Sequence, residues 1–185
     1  MKKHPAKFAF LLIAVACQVI FYSGCASGMT RTADSKLMPL KVSHDHPIAA
    51  INTDVTVEVR EKLKDSFKFD QAALKRTVEL ALTNNQLFDA AKKETGLTLA
   101  ILVTHVRVRS TFNAVMWGAM SGNDAIHGEV VVKDPSGATF DSFKVTASYA
   151  LGGWGGGQDG LRLNWLYEAF AKEVVKAFTD GEKKA

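Results

Sequence analysis

Cysteine is scarce in this 185-residue sequence, which contains only Cys17 and Cys25. Both lie in the N-terminal segment, so neither a disulfide framework nor a multi-cysteine metal site can form in the body of the chain. An excess of charge is also lacking. The formal net charge is +4, and without Lys2, Lys3 and Lys7 there are 20 basic residues against 19 acidic ones. The net charge is therefore no argument for nucleic-acid binding, which needs a clustered excess of Lys and Arg on the folded part, and we expect no nucleic-acid partner.

Catalytic motifs are missing as well. The sequence contains no Gly-x-Ser-x-Gly nucleophile elbow, no His-Glu-x-x-His zinc motif and no Gly-Lys-Ser/Thr of a phosphate-binding loop. Hydrophobic residues make up 47% of the chain and charged residues 23%, which is ordinary for a folded globular domain. We therefore expect one folded domain, no enzymatic activity and no cofactor.

The N-terminus has the layout of a signal peptide. Residues 1–7 carry the three lysines, and residues 8–22 form an apolar run of 15 residues. A permanent membrane-spanning helix needs about 20 apolar residues, so the run fits the hydrophobic region of a signal peptide better. It leads through the small residues Ser23 and Gly24 into Cys25.

This ending resembles the lipobox of bacterial lipoproteins, with Tyr22 in the place of the usual leucine. The resemblance implies cleavage after Gly24 and attachment of fatty-acyl chains such as palmitate to Cys25, which would anchor the protein stably to a membrane. Ala26 follows the cysteine, and in Gram-negative families the absence of Asp there implies the outer membrane, with the domain facing the periplasm. The alternative is that Cys25 is a bystander near an ordinary cleavage site.

These features divide the chain into four predicted regions. Residues 1–24 are the signal peptide, 25–47 a polar tether from the lipid, 48–180 a single domain and 181–185 a frayed tail. Within the tether, His44-Asp45-His46 has the spacing of two metal ligands. A metal site needs three or four ligands and no further His or Cys lies nearby, so we expect a solvated loop and no metal site.

Hydrophobic periodicity predicts four strands and two helices. In chain order these are a strand over 49–60, a helix over 71–87 with Asp70 as N-cap, strands over 97–109, 126–133 and 140–151, and a helix over 161–178. This β-α-β-β-β-α order predicts an α+β two-layer sandwich. We expect a four-stranded mixed or antiparallel sheet, with both helices on one face and the first two strands parallel.

Two connections have unusual compositions. The segment 110–124 contains Phe112, Met116, Trp117 and Met120, although a link between strands is normally polar. Exposed, such residues predict contact with a protein partner, a lipid or a ligand; folded back, they would extend the core. The segment 152–160 is glycine-rich and includes Trp154. Its glycine spacing fits a dinucleotide fingerprint, but no βαβ unit follows, so a flexible connection is the better interpretation. The alternative is a phosphate or lipid-headgroup contact at the N-terminus of the following helix.

Basic residues recur along the predicted strand over 97–109. His105, Arg107 and Arg109 alternate and are predicted to share one face, with His127 and Glu129 across from them. The patch suits binding of an anion or, less readily, acid–base chemistry. Cross-strand charge pairs on a solvated face are the commoner arrangement.

Three runs carry a family resemblance: LKRTVELALTNNQLFDAAKKETGLTLAILVTHV, HGEVVVKDPSGATFDSFKV and LNWLYEAFAKEVV. Over most of residues 50–178 the chain resembles uncharacterised bacterial lipoproteins of the DUF4410 type. The order of elements is more loosely similar to auxiliary lipoproteins of ABC transporters and to the amino-terminal domain of TolB-like periplasmic proteins. The resemblance implies an envelope protein that assists or binds, with no catalytic residues to carry over.

We therefore predict a lipid-anchored accessory protein of the bacterial envelope. It is held in the membrane by Cys25 and contacts an envelope protein partner through the apolar segment 112–120, with help from Trp154. The alternative is a periplasmic lipid or small-molecule binding domain in an envelope transport system. A hydrolase using His105, His127 and Glu129 is the last of the three hypotheses.

Overall fold

The computed structural model describes residues 27–31, 42–66, 69–110, 122–149 and 159–179. These form five strands, three α-helices and a short 3₁₀ helix at Ala90–Lys92. The strands are β1 Gly28–Arg31, β2 Ile48–Val55, β3 Leu97–Arg107, β4 Asp124–Lys133 and β5 Thr139–Tyr149; the helices are α1 Val57–Ser66, α2 Gln71–Asn84 and α3 Asp159–Thr179. The predicted α+β class is confirmed.

The strands form one mixed sheet in the order β1-β5-β4-β3-β2. The predicted parallel pairing of the first two domain strands is confirmed by β2 and β3, while all other neighbours are antiparallel. Alternate strand residues are buried and join the apolar stripes of α2 and α3 in one hydrophobic cluster. Leu74, Val78 and Leu82 of α2 are fully buried in it.

The predicted hairpin is confirmed with a small shift of its ends. β4 and β5 pair along their length, from Asp124 opposite Tyr149 to Lys133 opposite Thr139. In the turn, the Asp134 carboxylate accepts hydrogen bonds from the Ser136 hydroxyl at 2.6 Å and the Ala138 amide at 3.0 Å. Gly137 has a φ of 87°, a conformation that side chains with a Cβ disfavour. The turn chemistry therefore sets the register of the hairpin.

The sheet has five strands where the sequence predicts four. The extra strand, β1, comes from the region predicted as a tether, and the tether prediction over 25–47 is wrong for Gly28–Arg31. β1 is held by backbone pairing to β5 and by Arg31, which contacts the Asp141 carboxylate and donates to the Ala177 carbonyl at 2.5 Å. It has no apolar alternation because it lies at the sheet edge, where backbone pairing suffices.

The first domain strand ends earlier than predicted, because residues 57–60 belong to α1 and not to a strand over 49–60. The Thr56 hydroxyl accepts a weak hydrogen bond from the Val59 amide at 3.4 Å, and the Thr56 carbonyl accepts from the Arg60 amide at 2.9 Å. Val57 is 70% exposed and Val59 is buried. Val-x-Val spacing is compatible with a strand or a helix, and the hydrogen bonds that Thr56 accepts at the N-terminus stabilise the helix. Helix α1 is therefore an additional helix, and the structure has three helices where the sequence predicts two.

Helix α2 begins where predicted, with Asp70 as its N-cap, and ends at Asn84 instead of residue 87. The Asp70 carboxylate accepts from the Ala73 amide at 2.9 Å, and the Asp70 amide donates to the Tyr167 hydroxyl of α3 at 2.9 Å. Burial raises the pKa of Tyr167 to about 12, so this hydroxyl stays protonated at neutral pH. The cap thus also fixes α2 against α3.

Replacing Asp70 with alanine is expected to lower the free energy of unfolding by about 1 kcal/mol, because the Ala73 amide loses its acceptor. Urea unfolding followed by circular dichroism measures this change. Asp70→Asn is the matched control, since its side-chain oxygen can still accept that hydrogen bond. A loss as large in Asp70→Asn as in Asp70→Ala would contradict a capping role.

Candidate binding site at one end of the sheet

Strands β3, β4 and β5 and helix α3 each have one terminus at the same end of the sheet. Arg107 ends β3 opposite Ala125 of β4, and Asp124 begins β4 opposite Tyr149, which ends β5. Helix α3 begins there after the next connection. We call this the loop end of the sheet, defined by Arg107, Asp124 and Tyr149. The two connections with unusual compositions therefore start from neighbouring strands.

The residues predicted to contact a partner lie in those two connections. Phe112, Met116, Trp117, Met120 and Trp154 lie outside the described residues, as does the lipidation residue Cys25. What the structure describes is the framework from which the connections leave.

A buried charged cluster lies at the loop end. Asp124 and Arg162 have no exposed surface, and Arg109 is 6% exposed. The Asp124 Oδ1 atom accepts hydrogen bonds from the Arg109 backbone amide at 2.7 Å and from Arg109 Nε at 3.1 Å. The Asp124 Oδ2 atom accepts a hydrogen bond from Arg109 Nη2 at 3.3 Å. Arg162 brings Nη1 to 3.5 Å from the same Oδ2 and donates from Nη2 to the Arg109 carbonyl at 2.7 Å.

This cluster joins three chain segments that flank the two connections. Arg109 follows β3, Asp124 opens β4 and Arg162 lies in the first turn of α3. Because a buried carboxylate and buried guanidinium groups stabilise one another only while paired, the cluster holds these three segments at fixed positions. The sequence analysis did not identify Asp124 and Arg162 as partners. The available signal was an acidic residue and a basic residue, each next to one of the two connections.

The predicted basic patch is only partly present, because Arg109 does not share a face with His105 and Arg107. The strand ends at Arg107, and Arg109 turns inward to the buried carboxylate of Asp124. His105 does pair with His127 across β3 and β4, with ring centroids 5.1 Å apart. Arg107 lies against Gly122, where an added Cβ would stand 2.8 Å from its Nη2 atom.

Glu129 does not complete an acid–base group with these histidines. It lies opposite Leu102 in the sheet, and its Oε1 is 3.2 Å from the Lys144 amine. Such a cross-strand charge pair is the commoner arrangement on a solvated sheet face. Burial, and then the nearby His105, lower the pKa of His127 from its ordinary value.

Lowering the pH is expected to destabilise the fold through His127. Its folded pKa lies below the unfolded value of about 6.5, so the folded state binds fewer protons in this range. The contribution is fully present above about pH 6.5 and is lost as the pH falls through the folded pKa. Urea unfolding at several pH values measures the slope, and His127→Gln is expected to flatten it.

An NMR titration of the His127 ring tests the cause. In His105→Gln its pKa should rise and yet stay below the ordinary value, because burial is the larger cause and remains. An unchanged pKa would show that His105 does not act on His127.

A partly exposed aromatic pair borders the loop end. The rings of Tyr149 and Trp165 are 4.9 Å apart between centroids and tilted by 44°. Leu161, in the first turn of α3, is 51% exposed and adds apolar surface beside this pair. Hydrophobic periodicity did not single out Trp165 and Leu161, because they lie off the stripe of α3 that reaches the core.

Away from the loop end, α2 and α3 enclose a shallow groove of about 420 Å³. Its floor contains Ala81, Ala171 and Val175, and Leu80 stands 61% exposed at its side. The volume falls within the range of about 300–1,000 Å³ typical of ligand pockets. The groove is therefore a second place where a small apolar ligand could bind.

The predicted metal-ligand spacing at residues 44–46 falls in a short exposed turn, where His44, Asp45 and His46 face solvent. Across the part of the chain that the structure describes, no three His, Cys, Asp or Glu side chains come together as a metal site. No helix within the described ranges has the length and apolarity to cross a membrane.

The fold and its loop end define a class: an α+β domain with one mixed five-stranded sheet, from one end of which the two connections leave. The chain belongs to the DUF4410 family, a domain of unknown function, whose model matches residues 32–153, about two thirds of the chain. This confirms the DUF4410 part of the predicted resemblance. No curated protein matches the chain.

Solved structures give distant likenesses. A variant PelC dodecamer from Paraburkholderia phytofirmans has 12% identity and a TM-score of 0.49, with 81% of this chain and 96% of that chain covered. A second PelC dodecamer from that organism has 11% identity and a TM-score of 0.46, covering 80% and 95%. A PDZ domain protein from Parabacteroides distasonis has 11% identity and a TM-score of 0.35, covering 87% and 39%. Likenesses this distant carry no inference about function.

Proposed function

We propose that this protein is a lipid-anchored accessory protein of the bacterial envelope that binds a partner protein and performs no catalysis. The lipid on Cys25 holds it in the membrane, which we assign to the outer membrane, with the domain in the periplasm. The partner contacts Phe112, Met116, Trp117 and Met120, together with Trp154. One observation carries the proposal: both connections that contain these residues leave the loop end of the sheet.

The buried cluster supports a binding role. Arg109, Asp124 and Arg162 fix the points from which the connections depart, because each guanidinium group holds the same carboxylate. Fixed attachment points reduce the conformational entropy that the two connections lose when they bind a partner. Aromatic and methionine side chains are also the residue types enriched at protein interfaces.

Photo-crosslinking in living cells tests the proposal. A photoreactive amino acid is placed at Trp117 of the full-length lipoprotein, and the expected result is a discrete adduct with an envelope protein. The matched control places the same amino acid at Leu80, which is 61% exposed on α2 and distant from the loop end. Only intramolecular links at position 117 would show that the segment is core, and the proposal would fail.

A lipid or small-molecule binding role is the second candidate, and the groove of about 420 Å³ between α2 and α3 favours it. Mass spectrometry of organic extracts of the purified lipoprotein, corrected for the acyl chains on Cys25, tests this role. A stoichiometric ligand that is lost in Leu80→Asp would support it. Clean extracts would remove it.

A further inference from the structure

We propose that the loop end of the sheet faces the lipid bilayer, with Leu161, Trp165 and Tyr149 at the level of the lipid headgroups. This orientation goes beyond partner binding but rests on the lipid anchor at Cys25 that the proposed function includes. It follows from where the chain enters the fold and from the surface present at that place.

The chain enters the fold at the loop end. Gly28 pairs with Thr146 on β5, and the Ser27 hydroxyl accepts from the Ser148 amide at 3.2 Å. Ser148 is next to Tyr149, the last residue of β5. The first described residue is thus already level with the loop end.

Cys25 is only two residues before Ser27. A residue spans at most about 3.6 Å, so the Cα atom of Cys25 lies within about 7 Å of that of Ser27. Acyl chains on Cys25 would place this residue at the boundary between headgroups and hydrocarbon. The membrane surface must therefore come close to the loop end, and there is no long tether to hold the domain away.

The turn between β4 and β5, at the other end of the sheet, is distant and polar. From Ser148 back to Thr139, β5 rises by about 30 Å at roughly 3.4 Å per residue. The turn contains Asp134 and Ser136, and the Ser136 hydroxyl donates a hydrogen bond to the Asp134 carboxylate. It has no apolar side chain comparable to the exposed Leu161.

The surface at the loop end has the composition of a membrane interface. Trp165 and Tyr149 combine an apolar ring with a polar N–H or O–H, and such residues concentrate at the boundary between lipid and water. Leu161 is more than half exposed beside them, which places its apolar surface in water unless something covers it. Because the Cα atom of Cys25 lies within about 7 Å of that of Ser27, a bilayer that holds its acyl chains is near enough to cover Leu161.

The acyl chains already supply stable attachment, so the patch sets the orientation of the domain more than its affinity for the membrane. With the loop end toward the bilayer, a partner protein that binds there would itself lie at the membrane surface. This restricts the partner class of the proposed function to membrane-embedded or membrane-apposed proteins.

Tryptophan fluorescence in vesicles tests the orientation. The full-length lipoprotein is purified from the membrane, lipid on Cys25 is confirmed by mass spectrometry, and the protein is reconstituted into phosphatidylethanolamine and phosphatidylglycerol vesicles with brominated acyl chains. Trp117→Phe and Trp154→Phe leave Trp165 as the only tryptophan. The far-end reporter adds Trp165→Phe and Ala138→Trp, at an exposed position after the hairpin turn.

We expect bromine to quench Trp165 several-fold more than the tryptophan at position 138. Leu161→Asp should reduce the quenching of Trp165, whereas the matched variant Leu80→Asp, at a similarly exposed leucine of α2, should not. Equal quenching at both reporters would mean that the domain lies along the sheet edge, and would overturn the orientation.

The failures of the two proposals can be told apart. No quenching at either reporter, with lipid present on Cys25, overturns the orientation and leaves the partner proposal to the crosslinking at position 117. Absence of lipid on Cys25 overturns the anchor and the orientation together. A protein adduct at position 117 without quenching of Trp165 would establish a partner that binds away from the bilayer, again overturning the orientation.

Discussion

Replacing Asp124 with alanine is expected to lower the free energy of unfolding by about 3–5 kcal/mol, the range found when one partner of a buried ion pair is removed. Asp124 is fully buried and is the carboxylate that Arg109 and Arg162 share. Without it, two buried guanidinium groups and the Arg109 amide lose their common acceptor. Urea unfolding of the purified domain, followed by circular dichroism, measures the loss.

The control for this prediction is Asp54→Ala. Asp54 pairs with Arg60 at 2.9 Å, but both side chains are more than half exposed. Exposed ion pairs contribute at most about 1 kcal/mol, so this variant should change the stability little. Equal losses in the two variants would contradict a structural role for the buried cluster.

A change at the same position also affects the candidate site. If the cluster fixes the attachment points of both connections, Asp124→Asn, which keeps the shape of the side chain and removes its charge, should weaken the crosslinking yield at position 117. That effect should be visible at temperatures where the variant remains folded. A full yield from a folded Asp124→Asn protein would show that the cluster contributes to the fold alone.

Truncating Phe170 to alanine should also cost about 3–5 kcal/mol, as for other large-to-small changes of buried aromatic residues. Phe170 has no exposed surface, and its ring packs on the backbone of Gly128 in β4. A Cβ at position 128 would stand 2.9 Å from Phe170 Cζ and 3.0 Å from Cε2. The contact between α3 and the sheet therefore requires a large side chain at position 170 and no side chain at position 128.

A double-mutant cycle separates this contact from general core packing. Gly128→Ala alone is expected to cost about 1–3 kcal/mol by overpacking, and less in the Phe170→Ala background, where the ring is absent. Phe140→Ala is the control for removing a phenylalanine ring as such. This residue is only partly buried, near the start of β5, so its loss should cost less than that of Phe170. Additive losses in the Phe170 and Gly128 cycle would contradict direct packing between them.

The sequence by itself determined the elements whose signals are local. Asp70 marks the start of α2 because its carboxylate needs only the amide three residues on. The Asp134–Gly137 turn sets the hairpin of β4 and β5 because its chemistry is contained in the turn. The class of the fold followed from the order of these elements.

Other features were decided only by contacts between distant parts of the chain. β1 has no hydrophobic period, and its existence depends on the free edge of β5, more than a hundred residues later. Arg109 alternates with His105 and Arg107 in the sequence, yet it turns inward because Asp124 offers a buried carboxylate.

The site shows the same division. Composition, apolar in one segment and glycine-rich in the other, singled out the two connections. Only the sheet register brought their ends together, and only Ser27 placed the N-terminal segment beside them. A sequence pattern reports how each residue relates to its near neighbours, whereas pairing at an edge and a shared buried charge depend on which distant segments the fold brings into contact.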